Sequence, residues 1–159
     1  MIIRLVLATD LANHFEFLSK MNTKLDAIDA SVTSPRASSK PATAGPEMLL
    51  LMECAIKISD VSNGARSTPV YDKWSRCVFQ EFYLQGDAER GQDGVAISPF
   101  MDRESPNEPQ CQCSFLEYIV GPLFTLGKRL WPTLDAPAVQ YEANAAALKQ
   151  AKDNAAPCS

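Results

Sequence analysis

A single histidine, His14, stands in 159 residues, so this sequence by itself offers no histidine cluster for a metal or for acid–base work. Alone, His14 reads as a satisfied helix residue rather than a ligand. Positive charge is also short. Lys and Arg number 15 against 19 Asp and Glu, for a net charge of -4, which excludes a broad basic face and with it nucleic acid as a partner. No hydrophobic run is long enough to span a bilayer. The apolar start MIIRLVLATDL has no basic leader and no small-residue cleavage site, and Asp10 breaks it early. The expectation is a cytoplasmic protein without a membrane span. The five cysteines are an odd number scattered through apolar or helical stretches (Cys54, Cys77, Cys111, Cys113, Cys158), which suits free thiols in a reducing compartment. Cys111 and Cys113 are two apart on a helix, where side chains diverge, and form no metal pair. No repeat is visible, nor any alternating run long enough for a strand.

Helical signals are plentiful instead. With 46% hydrophobic and 21% charged residues, the chain can bury the core of one domain. The helical pattern begins at residue 2 with no capping residue before it, as though the chain started within a helix. Leu7, Leu11, Phe15 and Leu18 follow at helical spacing, predicting one stripe to about Met21. Residues 29–45, DASVTSPRASSKPATAG, hold almost no large side chain and predict a flexible insertion. Pro46 then opens a helix whose run EMLLLMECAIKI predicts packing on nearly every side. Pro69 opens another, with Tyr71, Trp74, Val78 and Phe82 on one face and Gly86 suited to its end. Residues 86–109 are rich in Gly and Pro and predict a structured loop. From Cys111 the helical period resumes through Phe115, Ile119, Leu123 and Leu126, with a kink before Pro122. The Ala-rich tail, residues 132–159, predicts a partly helical, loosely docked segment.

Five stretches carry a resemblance: LATDLANHFEFL, AIKISDVSNGAR, YDKWSRCVFQEFYLQGDAER, ISPFMDR and QCQCSFLEYIVGPLF. In their order and rough spacing they resemble the catalytic domain of class I 3′,5′-cyclic-nucleotide phosphodiesterases, over residues 3 to about 130. The resemblance implies an all-α, multi-helix bundle of the HD-domain-like type, with residues 1–131 as the C-terminal half of the catalytic domain. It makes Asp60 a ligand of a tightly held metal, and Thr9 and Asp10 the pair that orders the metal-bound waters. Without it, Asp60 reads as a helix terminator or a cap. Ser59 stands where the family usually has Ala, and Leu11 where it often has Met. His14 has a family counterpart too. On the nucleotide side the resemblance makes Gln112 the glutamine that hydrogen-bonds the base edge, and Phe115 and Val78 the two jaws of a clamp on its plane. Asn63 and Tyr71 map to the pocket lining, and Phe100 and Met101 to the loop over the pocket. Gln112 and Phe115, three apart, share a helix face, so an amide with both donor and acceptor lies beside an aromatic ring, as a purine requires.

The family's two upstream histidine motifs are absent. They would supply the leaving-group acid and the other three ligands of the tight metal, so Asp60 is one ligand of an incomplete set, and zinc prefers three or four donors in a tetrahedron. The implied function is hydrolysis of cAMP or cGMP to the 5′-monophosphate in signal transduction. It would proceed on two divalent cations, Zn and Mg or Mn, with this chain holding part of the site. A missing N-terminal half or a dimer partner would complete it. The alternative is an inactive fragment that binds a nucleotide or a protein.

Overall fold

The helical period of the sequence becomes seven α-helices among the residues that the computed structural model describes, 2–32 and 46–155. They are α1 (Ile2–Ala8), α2 (His14–Val32), α3 (Pro46–Asp60), α4 (Thr68–Arg90), α5 (Glu108–Phe115), α6 (Gly121–Leu130) and α7 (Asp135–Ala155). Short 3-10 turns form at Leu11–Asn13, Ser62–Ala65 and Pro132–Leu134, and a π-helical turn spans Leu116–Val120. No strand occurs among the described residues, and the fold is all-α. None of these helices is long and apolar enough to cross a membrane. Contacts divide the chain into two compact units. Unit 1 takes the described residues of Met1–Ser62 and Ile119–Asp135, and unit 2 those of Asn63–Tyr118 and Ala136–Ser159.

In unit 1, α6 lies against α2, α3 and the 132–134 turn, and α1 lies against α3. Leu123, Phe124 and Leu126 are buried with Leu50, Cys54 and Ile58 of α3 and Leu18, Met21 and Leu25 of α2. A Cβ on Gly127 would come within 2.7 Å of the terminal methyl groups of Ile58 and Leu134, so a larger residue there would require those two side chains to shift. The expected stripe through Leu7, Leu11, Phe15 and Leu18 is not the buried one. Leu7 and Phe15 are 64% and 62% exposed, because the helix breaks at Thr9–Asp10. There the Asp10 carboxylate accepts the Ala12 amide proton at 2.9 Å and a 3-10 turn resets the phase. The inward face of α2 is therefore His14, Leu18, Met21 and Leu25.

Two further expectations shift in this unit. Helix α2 continues past Met21, so residues 29–32 are its last turn rather than loop. Arg129 of α6 supports this stretch, bonding Asp26 and Asp29 at 2.8 Å each and Asn22 at 3.2 Å. The remainder of the expected insertion, 33–45, lies outside the described residues. Helix α3 is not enclosed all round, since Met48 and Ala55 are exposed while Glu53 and Lys57 are buried. Those two polar side chains are satisfied in place. Arg4 Nε donates to Glu53 Oε1 at 2.5 Å, and Lys57 Nζ donates to the Ala8 carbonyl at 2.7 Å.

Unit 2 is organised on α4, whose buried positions are Tyr71, Ser75, Phe79 and Gly86. The buried face is rotated from the expected one: Trp74 is 57% exposed and Val78 lies at the surface, while Phe82 is half-buried. Gly86 is not the end of α4, which runs to Arg90. A Cβ there would sit 1.8 Å from the Met101 carbonyl oxygen, so the glycine admits the backbone of the loop that follows. The anticipated kink before Pro122 is the π-helical turn, and the Leu116 carbonyl at its start accepts the Tyr141 hydroxyl at 3.0 Å.

Helix α7 is anchored in unit 2 rather than loosely docked. Asn144 is 1% exposed; its Nδ2 donates to the Gly64 and Arg66 carbonyls at 3.0 and 2.8 Å, and its Oδ1 accepts from Thr68 Oγ1 at 2.9 Å. One amide thus serves the loop before α4 and the first turn of α4 together. Replacing it strands those acceptors, so Asn144→Ala is expected to lower stability by about 2–3 kcal/mol. Urea denaturation should register this as a lower midpoint at unchanged slope.

Candidate functional site

The candidate residues fall into two sets, one in each unit. In unit 1, Asp60 is the last residue of α3 and is exposed. Ser59 beside it turns its hydroxyl back to the Ala55 carbonyl at 2.8 Å, a local helix bond that leaves Asp60 without help from this side chain. Thr9 and Asp10 form the break between α1 and α2. Thr9 Oγ1 donates to the Val6 carbonyl at 2.8 Å, and Asp10 caps the 3-10 turn. Both side chains therefore have a local structural task.

Lys57 is the residue of this set that sequence reasoning passed over. It is 3% exposed, and its ammonium reaches the carbonyls of Ala8 at 2.7 Å and Asp10 at 3.5 Å and lies 5.3 Å from the centre of the Phe17 ring. Burial pulls its pKa below the ordinary lysine value, and the carboxylates of Asp10 and Asp60 push back. The available signal was a lone cation inside an apolar helix run, three residues before Asp60 and so on the same face. His14 is fully buried and meets Phe15 edge-to-face at 5.1 Å.

A complete metal centre does not fit these residues. Asp60 offers one carboxylate, and Asp10 is engaged with the Ala12 amide. Among the described residues no three His, Cys, Asp or Glu side chains group as metal ligands, whereas a zinc site needs three or four donors.

Unit 2 brings two candidate residues into contact across 41 positions of sequence. Tyr71, 3% exposed on α4, donates its hydroxyl to Gln112 Oε1 on α5 at 3.2 Å. Burial pushes the Tyr71 phenol up to about 12, so it stays protonated and remains a donor at neutral pH. Gln112 keeps both amide hydrogens of Nε2 and a second lone pair on Oε1 for another partner. Phe115, half-buried, ends α5 just before the π-helical turn, and Val78 lies at the surface of α4. Asn63 is half-buried in the 62–65 turn.

The loop 91–107 carries Phe100 and Met101. Phe100 is 51% exposed with a φ of 69°, a left-handed conformation that costs a bulky side chain energy and is held by its surroundings. Those surroundings are specific. Glu89 accepts from the Ser98 amide at 2.7 Å and from its hydroxyl at 2.9 Å, and the Met101 carbonyl packs on Gly86. Arg90 pairs with Asp102 and Glu104, and Arg103 pairs with Asp87 at 2.6 Å. The loop is thereby tied to the last two turns of α4.

Known proteins resemble this chain in both sequence and structure. The profile of the 3′,5′-cyclic nucleotide phosphodiesterase family matches residues 1–140. The chain is 36% identical over 124 residues to cGMP-inhibited 3′,5′-cyclic phosphodiesterase 3A of Rattus norvegicus, covering 77% of this chain and 10% of the relative. It is 30% identical over 138 residues to high affinity cGMP-specific 3′,5′-cyclic phosphodiesterase 9A of Homo sapiens, covering 87% and 21%. The structure of LmjPDEB1 in complex with IBMX is similar with a TM-score of 0.79 at 26% identity, over 94% of this chain and 42% of that one. The chain therefore spans about a tenth to a fifth of the curated relatives it matches and less than half of the solved structure. With 140 of its 159 residues, up to the first turns of α7, inside the family match, the chain belongs to the 3′,5′-cyclic nucleotide phosphodiesterase family.

Proposed function

We propose that this chain carries the base-recognition residues, and one carboxylate of the hydrolytic centre, of an enzyme that opens cAMP or cGMP to the 5′-monophosphate in signal transduction. The observation that carries this reading is the Tyr71–Gln112 hydrogen bond, which fixes the amide of a residue that the family motif assigns to the base. With Oε1 held by a phenol, Nε2 can donate to a ring acceptor while the spare lone pair of Oε1 accepts from the neighbouring N–H. Adenine and guanine each present such a pair. Phe115 and Val78 are assigned the ring faces, an apolar contact that excludes water and strengthens the amide bonds. Asn63 is assigned the lining of the same pocket, and Phe100 and Met101 the loop over it.

The complete family site would add two divalent cations, Zn and Mg or Mn, that generate the attacking hydroxide and clamp the phosphodiester. The residues of this chain do not make such a centre, so no step through a metal is assigned to it. Asp60, at the exposed end of α3, would be the carboxylate that this chain contributes to a metal, and Thr9 and Asp10 are the residues assigned to ordering its waters. The remaining donors and the leaving-group acid come from polypeptide outside these 159 residues, in the same chain or in a partner subunit.

Isothermal titration with cAMP and with cGMP tests the recognition half. Gln112→Ala is expected to weaken binding of the preferred nucleotide roughly tenfold or more, through loss of a paired hydrogen bond; equal affinity for wild type and variant would sink the assignment. For the hydrolytic half, the purified chain with zinc and magnesium should release no monophosphate from either nucleotide. Turnover that Asp60→Ala abolishes would overturn the partial-site reading, and nucleotide binding that Gln112→Ala does not touch would favour a plain binding module. The Tyr71 phenol sets a pH expectation as well. Because its folded pKa lies above the ordinary tyrosine value of 10.0, its contribution to stability is complete below about pH 10 and is lost as pH rises toward about 12. Tyr71→Phe should flatten that alkaline loss in a pH series of thermal melts.

A further inference from the structure

Lys57 holds a place that the proposed function leaves unexplained. A lysine at the edge of a helix ordinarily runs its stem along apolar surface and keeps its ammonium in water. This one is buried on α3 between Cys54, whose own thiol is pushed up to about 12 by burial, and Ile58. Its ammonium crosses to α1 and the turn after it. The Ala8 carbonyl that it meets at 2.7 Å belongs to the last residue of α1, at the negative end of a short helix, where a cation is most favourable. The Asp10 carbonyl at 3.5 Å lies two residues further on. The Phe17 ring from α2 closes the other side. Helix α1 has seven residues and no buried side chain, too few to be stable by itself. Along α3, Asp60 follows one helical turn after Lys57 on the same face.

We propose that Lys57 is a positioning residue: its ammonium, and not a divalent cation, is the positive charge that holds the Thr9–Asp10 turn beside the Asp60 end of α3, so that unit 1 keeps this arrangement without metal. The roles of Asp60 and Asp10 in hydrolysis rest on the function proposed above, whereas the tie itself does not. The charge balance supports the proposal. A buried ammonium requires acceptors and negative charge nearby, and here it has two carbonyls, an aromatic face and the fields of Asp10 and Asp60.

The experiment is amide hydrogen exchange by NMR combined with thermal melts, on wild type, Lys57→Met, Asp60→Asn and the double variant, each with a chelator and with magnesium or zinc. The Thr9, Asp10 and Ala12 amides are all hydrogen-bonded and report the turn. Lys57→Met is expected to speed their exchange roughly tenfold or more, relative to the amides of α4 in unit 2. Asp60→Asn, a surface change that leaves the packing intact, should lower the melting temperature by a few degrees when Lys57 is present and by about one degree or less when it is Met, as coupled sites do. Wild type should melt at the same temperature with chelator as with either metal. Unchanged exchange at the turn in Lys57→Met, or equal Asp60→Asn shifts in both backgrounds, would overturn the proposal. So would a wild-type melt that rises with metal. Should Lys57→Met fail to fold, Asp60→Asn still decides, because loss of the compensating carboxylate must by itself speed exchange at Thr9 and Asp10. A failure of the function proposed above would instead appear as nucleotide binding insensitive to Gln112, with these melts unaffected.

Discussion

Burial of one stripe of α4 is the constraint on which unit 2 depends. Tyr71, Ser75, Phe79 and Gly86 face inward, and each turns that burial into a different consequence. Tyr71 carries a polar tip on an apolar body, so its hydroxyl must find an acceptor, and Gln112 of α5 provides it. Gly86 has no side chain, and the Met101 carbonyl fills the space. Rotating α4 by one residue would bring Trp74 and Val78 inward and point Tyr71 away from Gln112. Helix register, set by burial, therefore decides which amide is held in place and where the loop bearing Phe100 runs.

Polar groups inside apolar helices perform the corresponding work in unit 1. Glu53 and Lys57 lie on the buried side of α3, and each reaches α1, through Arg4 and the Ala8 carbonyl. Their desolvation is offset only while those partners stay in place, so both ties specify the position of α1 more than they add to overall stability. Asn144 does the same in unit 2, where a single buried amide joins α7 to the segment that leads into α4. In both units a buried polar atom that has one acceptable geometry selects among apolar packings that would otherwise be close in energy.

Family membership and local geometry bear on different halves of the chemistry. The residues assigned to the base lie within unit 2, where a hydrogen bond orients the amide and ion pairs tie down the loop. Those assigned to the hydrolytic centre lie in unit 1, where Asp60 is exposed, Thr9 and Asp10 are engaged with their own backbone, and the Lys57 ammonium is bonded to the Ala8 and Asp10 carbonyls. This chain covers only 10% and 21% of the two curated relatives.

Period and punctuation in the sequence were enough to determine the helical class, the helix openings at Pro46 and Pro69, the irregularity before Pro122 and the motifs that mark the family. Those features are local: a proline or an apolar spacing acts on its own few residues whatever surrounds them. Which face of each helix turns inward was not legible. The stripe expected through Leu7 and Phe15 is exposed because the Asp10 cap resets the phase, and the face expected through Trp74 is displaced by neighbours far away in sequence. Gly86 looked like a helix end, and only the Met101 backbone packed against it shows another reason for glycine. Asn144 sat in an Ala-rich tail without any local sign of its task, and Lys57 in a run of apolar residues. Their partners lie 78 and 49 residues away, and a bond across that distance exists only once tertiary packing has brought the two ends together.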